Sequence, residues 1–341
     1  MILFDDIGSY PLPDDVKKDW IPDAVKRRDP KFFNILRDAM YQKIDAGVDT
    51  PTYPQFQDMN QQFLGIINDE SKTEEPFLIR KEDAKILELE VMEYVAEEYY
   101  KRNGERLKMR ICVTGPIELY TKQFGGTTYT DILNVFATNV DRFISNALDN
   151  SKQFKTATVS IDEPSIGINP QIMFSDEDLI GALEKAGRTA ASKKVDTEIH
   201  LHSPLNYGLI CETSSINTIG VESAANPSYL NLIDREDLKT YDKFLRVGVA
   251  RTDISNMSAF LNEKYGFNVW KEPLKLEDIV TSMESPQVIE MRLEKAYSMF
   301  GDRIKYAGPD CGLGSWPSQG LAFRLLKNAG RGIKEFQKKK R

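Results

Sequence analysis

The sequence alternates short apolar runs with amphipathic helical segments over its whole length. Eight of these runs are predicted strands, at residues 2–4, 48–50, 109–114, 157–162, 198–202, 216–222, 245–250 and 303–307. Strands that alternate with helices are typical of a parallel sheet covered by helices. Eight such units fit a (β/α)8 barrel, which takes about 250 residues plus insertions. The fold prediction is therefore α/β, a TIM barrel with insertions at its C-terminal face.

The predicted barrel forms a single domain over residues 1–341. Two segments are longer than ordinary connections between strand and helix. A mainly helical excursion is predicted at about residues 55–105, and a lid-forming insertion at about residues 254–285, its centre at 256–273. A doubly wound open sheet is the alternative fold, but no GxGxxG motif follows an early strand.

Polar side chains that could bind a metal stand at three predicted strand ends. His200 and His202 are the only two histidines of the chain, Glu222 ends the following strand, and Cys311 follows the last one. Residues i and i+2 of a strand point to the same side. Nitrogen, oxygen and sulfur donors together suit Zn²⁺, so these four residues are predicted to hold zinc. The alternatives are hydrogen-bonded core histidines and, for Glu222, a strand-end cap.

Composition and charge limit the partners. The net charge of −7 argues against nucleic acid, which requires a basic face. No apolar run approaches the roughly 18 residues of a membrane span, and no signal peptide is evident at Met1. Three widely spaced cysteines do not form a disulfide framework, which favours a reducing, cytoplasmic setting. Cys112 and Cys211, both in apolar contexts, are predicted to be buried.

The motifs of the chain occur in an order typical of one enzyme family. They are Ile-Gly-Ser-Tyr-Pro at residues 7–11, Gly-Pro at 115–116, Ile-Asp-Glu-Pro at 161–164, His-x-His at 200–202, Glu222 and Pro-Asp-Cys-Gly-Leu at 309–313. In this combination the chain resembles the C-terminal catalytic domain of cobalamin-independent methionine synthase, in its short archaeal-type form, over nearly all residues.

That resemblance implies a zinc-bearing barrel that transfers a methyl group to the thiol of homocysteine. By position, it assigns the zinc ligands to His200, His202, Glu222 and Cys311. It also implies that the loop of Ile7, Gly8 and Ser9, together with Asp162, holds the amino-acid acceptor.

The chain departs from the family pattern at three places. His202 stands where the family has a cysteine, so the formal charge of a zinc site would be zero instead of −1. Gln55 replaces a glutamate among the substrate-binding residues, and 251–253 (Arg-Thr-Asp) replaces a turn that carries a histidine. Asp162 and Asp253 are the predicted catalytic carboxylates. Asp162, Glu163 and Asp253 could meet an ammonium group, whereas Arg251 could meet an anionic acceptor.

The predicted function is zinc-dependent methyl transfer to a small thiol, with homocysteine first. A methylated corrinoid, free or on a corrinoid protein, is the predicted donor. The chain starts at its Ile-Gly-Ser strand without a preceding barrel, and a net charge of −7 would repel a polyglutamated folate. Three alternatives remain open: another thiol acceptor, a metal-binding barrel without methyl transfer, and a uroporphyrinogen-type decarboxylase.

Overall fold

The computed structural model describes residues 1–340; Arg341, the last residue of the predicted domain, lies outside them. The strands are β1 (Leu3–Phe4), β2 (Thr73–Glu75), β3 (Leu78–Ile79), β4 (Lys108–Thr114), β5 (Lys155–Asp162), β6 (Asp196–Leu201), β7 (Thr218–Val221), β8 (Phe244–Ala250) and β9 (Ile304–Pro309). The α-helices are α1 (Ile21–Arg27), α2 (Pro30–Asp45), α3 (Met59–Ile67), α4 (Glu88–Asn103), α5 (Pro116–Phe124), α6 (Thr130–Asn150), α7 (Asp176–Ser192), α8 (Tyr207–Glu212), α9 (Arg235–Thr240), α10 (Ile254–Tyr265), α11 (Pro273–Asp278), α12 (Pro286–Phe300) and α13 (Gln319–Lys340). In this described range, no helix combines the length and the apolar character that crossing a membrane requires.

Seven strands form one curled parallel sheet in the order β1-β9-β8-β7-β6-β5-β4. The pairs β1–β9, β4–β5, β5–β6 and β6–β7 are parallel. Seven of the eight predicted barrel strands are therefore present. The arrangement is TIM-like, but the described residues do not form a closed eight-stranded barrel, so the prediction of closure is not confirmed.

The predicted second strand, residues 48–50, is wrong. That region forms isolated bridges and no continuous ladder; among them, Asp5 pairs with Thr50 and Ser9 with Gln55, both parallel. Pro51 and Pro54 lack the backbone N–H that a sheet ladder needs. A side chain replaces one ladder contact, because the Thr52 N–H donates to Oδ1 of Asp6 at 2.8 Å. Prolines and side-chain pairing thus keep this segment extended without making it a strand.

The two predicted insertions have regular structure. The excursion at 55–105 is mainly helical, with α3 and α4, and it also contains the short antiparallel hairpin β2–β3, which was not predicted. The insertion at 254–285 contains α10, a 3-10 turn at Val269–Lys271, α11 and a π-helical turn at Ile279–Met283. Its role as a lid stays a prediction, as does the single domain.

The chain divides into two compact units, which we describe separately. The first unit comprises residues 1–56, 222–228 and 247–341, and the second comprises 57–221 and 229–246. In the first unit, α12 packs against α13, and α13 packs against β1 and β9. In the second unit, α6 packs on β4, and α7 packs on β5 and β6.

Within the second unit the strands have one apolar face and one polar face. The apolar face comprises Ile111, Val113, Val159, Ile161 and Ile199, all fully buried. The register places polar residues side by side on the other face: Cys112 pairs with Ser160, Ser160 with Glu198, and Asp162 with His200. Because side chains alternate along a strand, these polar residues share one side of the sheet. This face carries the candidate site.

Candidate metal centre

The structure brings together the four residues that the sequence analysis assigned to a metal. The candidate ligand atoms of His200, His202, Glu222 and Cys311 all lie within 4.8 Å of one another. In a tetrahedral zinc site, bonds of about 2.0–2.3 Å place the ligand atoms about 3.3–3.8 Å apart. A modest contraction of side chains would therefore suffice. Two nitrogens, one oxygen and one sulfur are a donor set that zinc accepts, so the residues present fit this metal.

Both histidines favour the neutral imidazole, the form that binds a metal. Burial lowers the pKa of His200 well below its usual value, and the nearby charges of His202, Arg246 and Arg110 lower it further. Burial also lowers the pKa of His202, although the carboxylates of Asp162 and Glu118 partly oppose this change. The two rings lie 5.4 Å apart, nearly perpendicular at 76°. At neutral pH a ring nitrogen of each histidine therefore carries a lone pair that a metal requires.

Asp310, the residue before Cys311, organises the other half of the cluster. Its buried carboxylate accepts hydrogen bonds from the backbone N–H groups of Ala224 (2.9 Å) and Ala225 (2.7 Å), just after Glu222. The N–H of Asp310 donates to Ala250 at 2.8 Å. Asp310 was not among the predicted site residues, although its place beside the predicted cysteine ligand was a signal.

Gly248 leaves the room that the Asp310 carboxylate occupies. A Cβ at this position of β8 would stand 1.8 Å from Oδ1 of Asp310 and 3.1 Å from its Cα. Any side chain at residue 248 would displace the carboxylate. Glycine is therefore required here for close approach.

The predicted acceptor loop lies against the segment that follows Cys311. The carbonyl of Ser9 accepts the N–H of Leu313 at 2.8 Å, and its hydroxyl accepts the N–H of Gly314 at 3.3 Å. A Cβ on Gly312 would stand 1.9 Å from Oγ of Ser9. Ile7, the first residue of the loop, is buried. Ser9 therefore belongs to the same loop cluster as Cys311.

Gln55 and a buried lysine hold the same loop from the other side. The backbone N–H of Gln55 donates to the carbonyl of Gly8 at 3.1 Å, and its side-chain Nε2 donates to the hydroxyl of Tyr53 at 3.3 Å. Lys43 is fully buried and contacts Asp6 (2.7 Å) and the carbonyl of Gly8 (3.0 Å). Sequence reasoning missed Lys43, which an ordinary helical pattern gave no reason to place inside.

Asp162 lies on the polar face of the second unit, with 6% of its surface exposed. Its two oxygens accept hydrogen bonds from Ser160 and Cys112, each at 2.7 Å. Cys112 is buried as predicted, but it also makes a polar contact that the sequence did not indicate. An ion pair, Arg110 with Glu198 at 2.9 Å, lies deeper on the same face with both side chains fully buried. Arg110 and Glu198 were missed, because their pairing depends on the register of the strands.

Glu163, the second carboxylate of the Ile-Asp-Glu-Pro motif, has a structural partner. Its side chain accepts the backbone N–H groups of Ile117 and Glu118, both at 2.8 Å, at the start of α5. Burial raises the pKa of Glu163 well above its usual value. The carboxylate of Glu163 therefore caps α5. Of the two carboxylates in the Ile-Asp-Glu-Pro motif, Asp162 is the one that lies on the polar face.

Asp253, the other predicted catalytic carboxylate, pairs with Arg251. The guanidinium donates two hydrogen bonds to this carboxylate, at 2.9 and 2.7 Å. Burial alone raises the pKa of Asp253, but the hydrogen bond and charge of Arg251 outweigh it and lower the pKa. Arg251, which was predicted to meet an anionic acceptor, thus forms an ion pair with Asp253 in this structure. A catalytic role of Asp253 stays a prediction.

Cys211 lies in α8 and is not among the four clustered residues. Burial raises the pKa of its thiol to about 11, although the positive charge of Lys243 opposes this rise. Cys211 is buried, as its apolar context predicted, and its raised pKa should keep the thiol protonated at neutral pH.

Comparisons with known proteins identify the fold. A scan against protein-family models and a search of curated proteins return no match. Among solved structures, the chain is similar to a B12-independent methionine synthase from Shewanella sp. W3-18-1 in complex with selenomethionine, with 14% identity, a TM-score of 0.63, and coverage of 99% of this chain and 98% of that one. It is also similar to a methyltransferase from Methanosarcina mazei, with 9% identity, a TM-score of 0.56, and coverage of 98% and 94%. At these identities the likeness shows a shared fold.

Proposed function

We propose that the protein is a zinc-binding methyltransferase that transfers a methyl group to the thiol of a small substrate, with homocysteine as the first candidate. The observation that carries the proposal is the cluster of His200, His202, Glu222 and Cys311, whose ligand atoms lie within 4.8 Å of one another. The fold supports it, because the two similar structures named above are a methionine synthase and a methyltransferase.

The chemistry explains why a thiol acceptor would need a metal. A free thiol with a pKa of about 8.5 is only a few per cent ionised at neutral pH, and ionising it there costs about 2 kcal/mol. A zinc ion held by the four residues would supply the positive charge that stabilises the thiolate. The remaining task for the protein is to position the acceptor and the methyl donor in line.

The chain's own polar groups can position an amino-acid thiol. Asp162 presents a carboxylate on the face that carries His200, and a carboxylate is the natural partner of a substrate ammonium group. The side-chain amide of Gln55 lies beside Gly8, in the predicted acceptor loop. A neutral amide binds an ammonium group less strongly than a carboxylate does. Asp162 would therefore provide most of the recognition of the ammonium group.

A methylated corrinoid is the proposed donor. A polyglutamated folate carries several carboxylates, and a protein with a net charge of −7 would repel it unless a basic groove offset that charge. A corrinoid does not impose this requirement, whether it arrives free or on a partner protein.

Turnover assays test the proposal directly. The zinc-loaded protein is mixed with homocysteine and, in parallel, with methylcobalamin or polyglutamated methyltetrahydrofolate, and methionine formation is measured. We expect transfer from the corrinoid and little from the folate. Cys311→Ser should abolish transfer, whereas Cys211→Ser, which removes a buried thiol outside the cluster, should not. Faster transfer from the folate would reverse the donor assignment. Absence of transfer to any thiol, with zinc bound, would favour a metal-binding barrel without this chemistry.

A further inference from the structure

The polar face of the second unit contains a chain of hydrogen bonds that ends at Asp162. Arg110 donates from one nitrogen, Nη2, to Glu198 at 2.9 Å and to the hydroxyl of Ser160 at 2.6 Å. A serine hydroxyl has a single proton. Since the Ser160 oxygen accepts from Arg110, its proton is directed to Oδ1 of Asp162, at 2.7 Å.

Cys112 completes this arrangement from the neighbouring strand. It lies opposite Ser160 in the β4–β5 register, and its thiol donates to Oδ2 of Asp162 at 2.7 Å. Burial raises the pKa of this thiol well above its usual value, and the charge of Asp162 raises it further. The thiol therefore keeps its proton and acts as a donor.

The two donors fix the plane of the Asp162 carboxylate. Ser160 holds one oxygen and Cys112 holds the other, so rotation of the carboxylate would break at least one bond. Each carboxylate oxygen accepts about two hydrogen bonds. One position on each oxygen thus remains for a ligand, in a direction set by the two donors.

We propose that Cys112 is a positioning residue, whose thiol orients the Asp162 carboxylate toward the ammonium group of an amino-acid thiol substrate. This inference rests on the proposed function. It adds that selectivity for an acceptor with an amino group depends on a cysteine in β4 that contacts the substrate only through Asp162.

The test compares two thiols that differ in the amino group alone, homocysteine and 4-mercaptobutyrate. Cys112→Ala removes the donor, Cys112→Ser retains a donor in a smaller group, and Cys211→Ala is the matched control, a buried cysteine outside this network. We expect Cys112→Ala to raise the KM for homocysteine about tenfold, as for one lost hydrogen bond to a charged group. The KM for 4-mercaptobutyrate should hardly change in Cys112→Ala. In Cys112→Ser, the KM for homocysteine should return most of the way to the wild-type value.

Binding gives a second readout that does not depend on methyl transfer. Cobalt-substituted protein is titrated with each thiol, and the change in metal absorption gives the Kd. The selectivity for homocysteine should fall about tenfold in Cys112→Ala, with metal content and Tm close to those of the control. If methyl transfer fails but this selectivity changes, the proposed function is wrong and the positioning role stands. Equal selectivity in the wild type and Cys112→Ala, or equal losses for both thiols, would overturn the role, as would failure of homocysteine to bind.

Discussion

The carboxylate of Asp310 accepts a hydrogen bond from the backbone N–H of Ala224 at 2.9 Å, across 86 residues of sequence. Asp310 precedes Cys311, and Ala224 follows Glu222 by two residues. One buried side chain thereby links the backbone segments that carry two of the four candidate metal ligands. Residues that orient ligands in this way commonly affect metal affinity 10–100-fold.

Asp310→Asn should weaken zinc binding about 10- to 100-fold while the chain still folds. The amide has one acceptor oxygen where the carboxylate has two, so it cannot accept from both Ala224 and Ala225 with separate oxygens. Competition with a chromophoric chelator measures the affinity. Asp131→Asn, which changes an exposed carboxylate on α6, serves as the control. Equal affinity in the two variants would contradict the positioning role of Asp310.

The three cysteines should differ in their reaction with iodoacetamide at about pH 8. A thiol with a pKa of about 11, such as Cys211, is ionised to roughly 0.1% there, and buried Cys112 has its pKa raised as well. Cys311 is partly exposed, so it should react first in metal-free protein and become protected by zinc. Peptide mass mapping gives the order. Faster labelling of Cys211, or the absence of zinc protection at Cys311, would oppose this assignment.

Much of the fold could be predicted from the alternation of strands and helices. Seven of the eight predicted barrel strands are present. The strand at 48–50 was predicted wrongly because its apolar start looked like a strand, whereas Pro51 and Pro54 decide the backbone pairing. The hairpin β2–β3 was missed because it is short and mostly polar, without an alternating apolar pattern.

The clustering of the four candidate ligands could be predicted because His200, His202 and Cys311 belong to residue types that are rare in this chain and stand at predicted strand ends. The residues that hold them could not be predicted as easily. Lys43, Arg110 and Glu198 are common on protein surfaces, and only the register of the sheet or the depth of a helix shows them to be buried. Local sequence pattern carries no information on such long-range pairs.

His202→Cys should keep the metal and change its charge. With zinc (+2), Glu222 (−1) and Cys311 (−1), the site has a formal charge of zero, and a second thiolate would make it −1. A more negative site should bind a substrate thiol less tightly but leave its sulfur more nucleophilic. We expect a higher KM for the thiol and a faster methyl-transfer step in single-turnover experiments. A slower step at full metal content would contradict this charge argument.

The stability of the protein should depend on pH through Glu88. This carboxylate is buried at the start of α4, where it accepts from Gln57 (2.7 Å) and Gln62 (3.0 Å), and burial raises its pKa. A raised pKa in the folded state stabilises the fold at pH values below the unfolded pKa, and this contribution is lost as pH rises through the folded pKa. Glutamine does not titrate, so the wild type loses this contribution as the pH rises and Glu88→Gln does not. The free energy of unfolding of Glu88→Gln should therefore increase relative to that of the wild type as the pH rises from acidic to neutral.

Urea unfolding of wild type and Glu88→Gln at a series of pH values measures this difference. Glu90→Gln, on the exposed side of the same helix, should follow the wild-type curve. A constant difference between wild type and Glu88→Gln across the pH range would show that burial does not perturb this carboxylate.

The zinc content of the purified protein tests the central claim most directly. Wild type, Cys311→Ala and Cys211→Ala are prepared from zinc-replete cultures without chelator, and metal is measured by mass spectrometry against protein concentration. The account predicts about one zinc per chain in wild type and Cys211→Ala, and a loss of most of it in Cys311→Ala, because one of four ligands and a thiolate charge are removed. A wild-type zinc content near zero, or an undiminished content in Cys311→Ala, would contradict it.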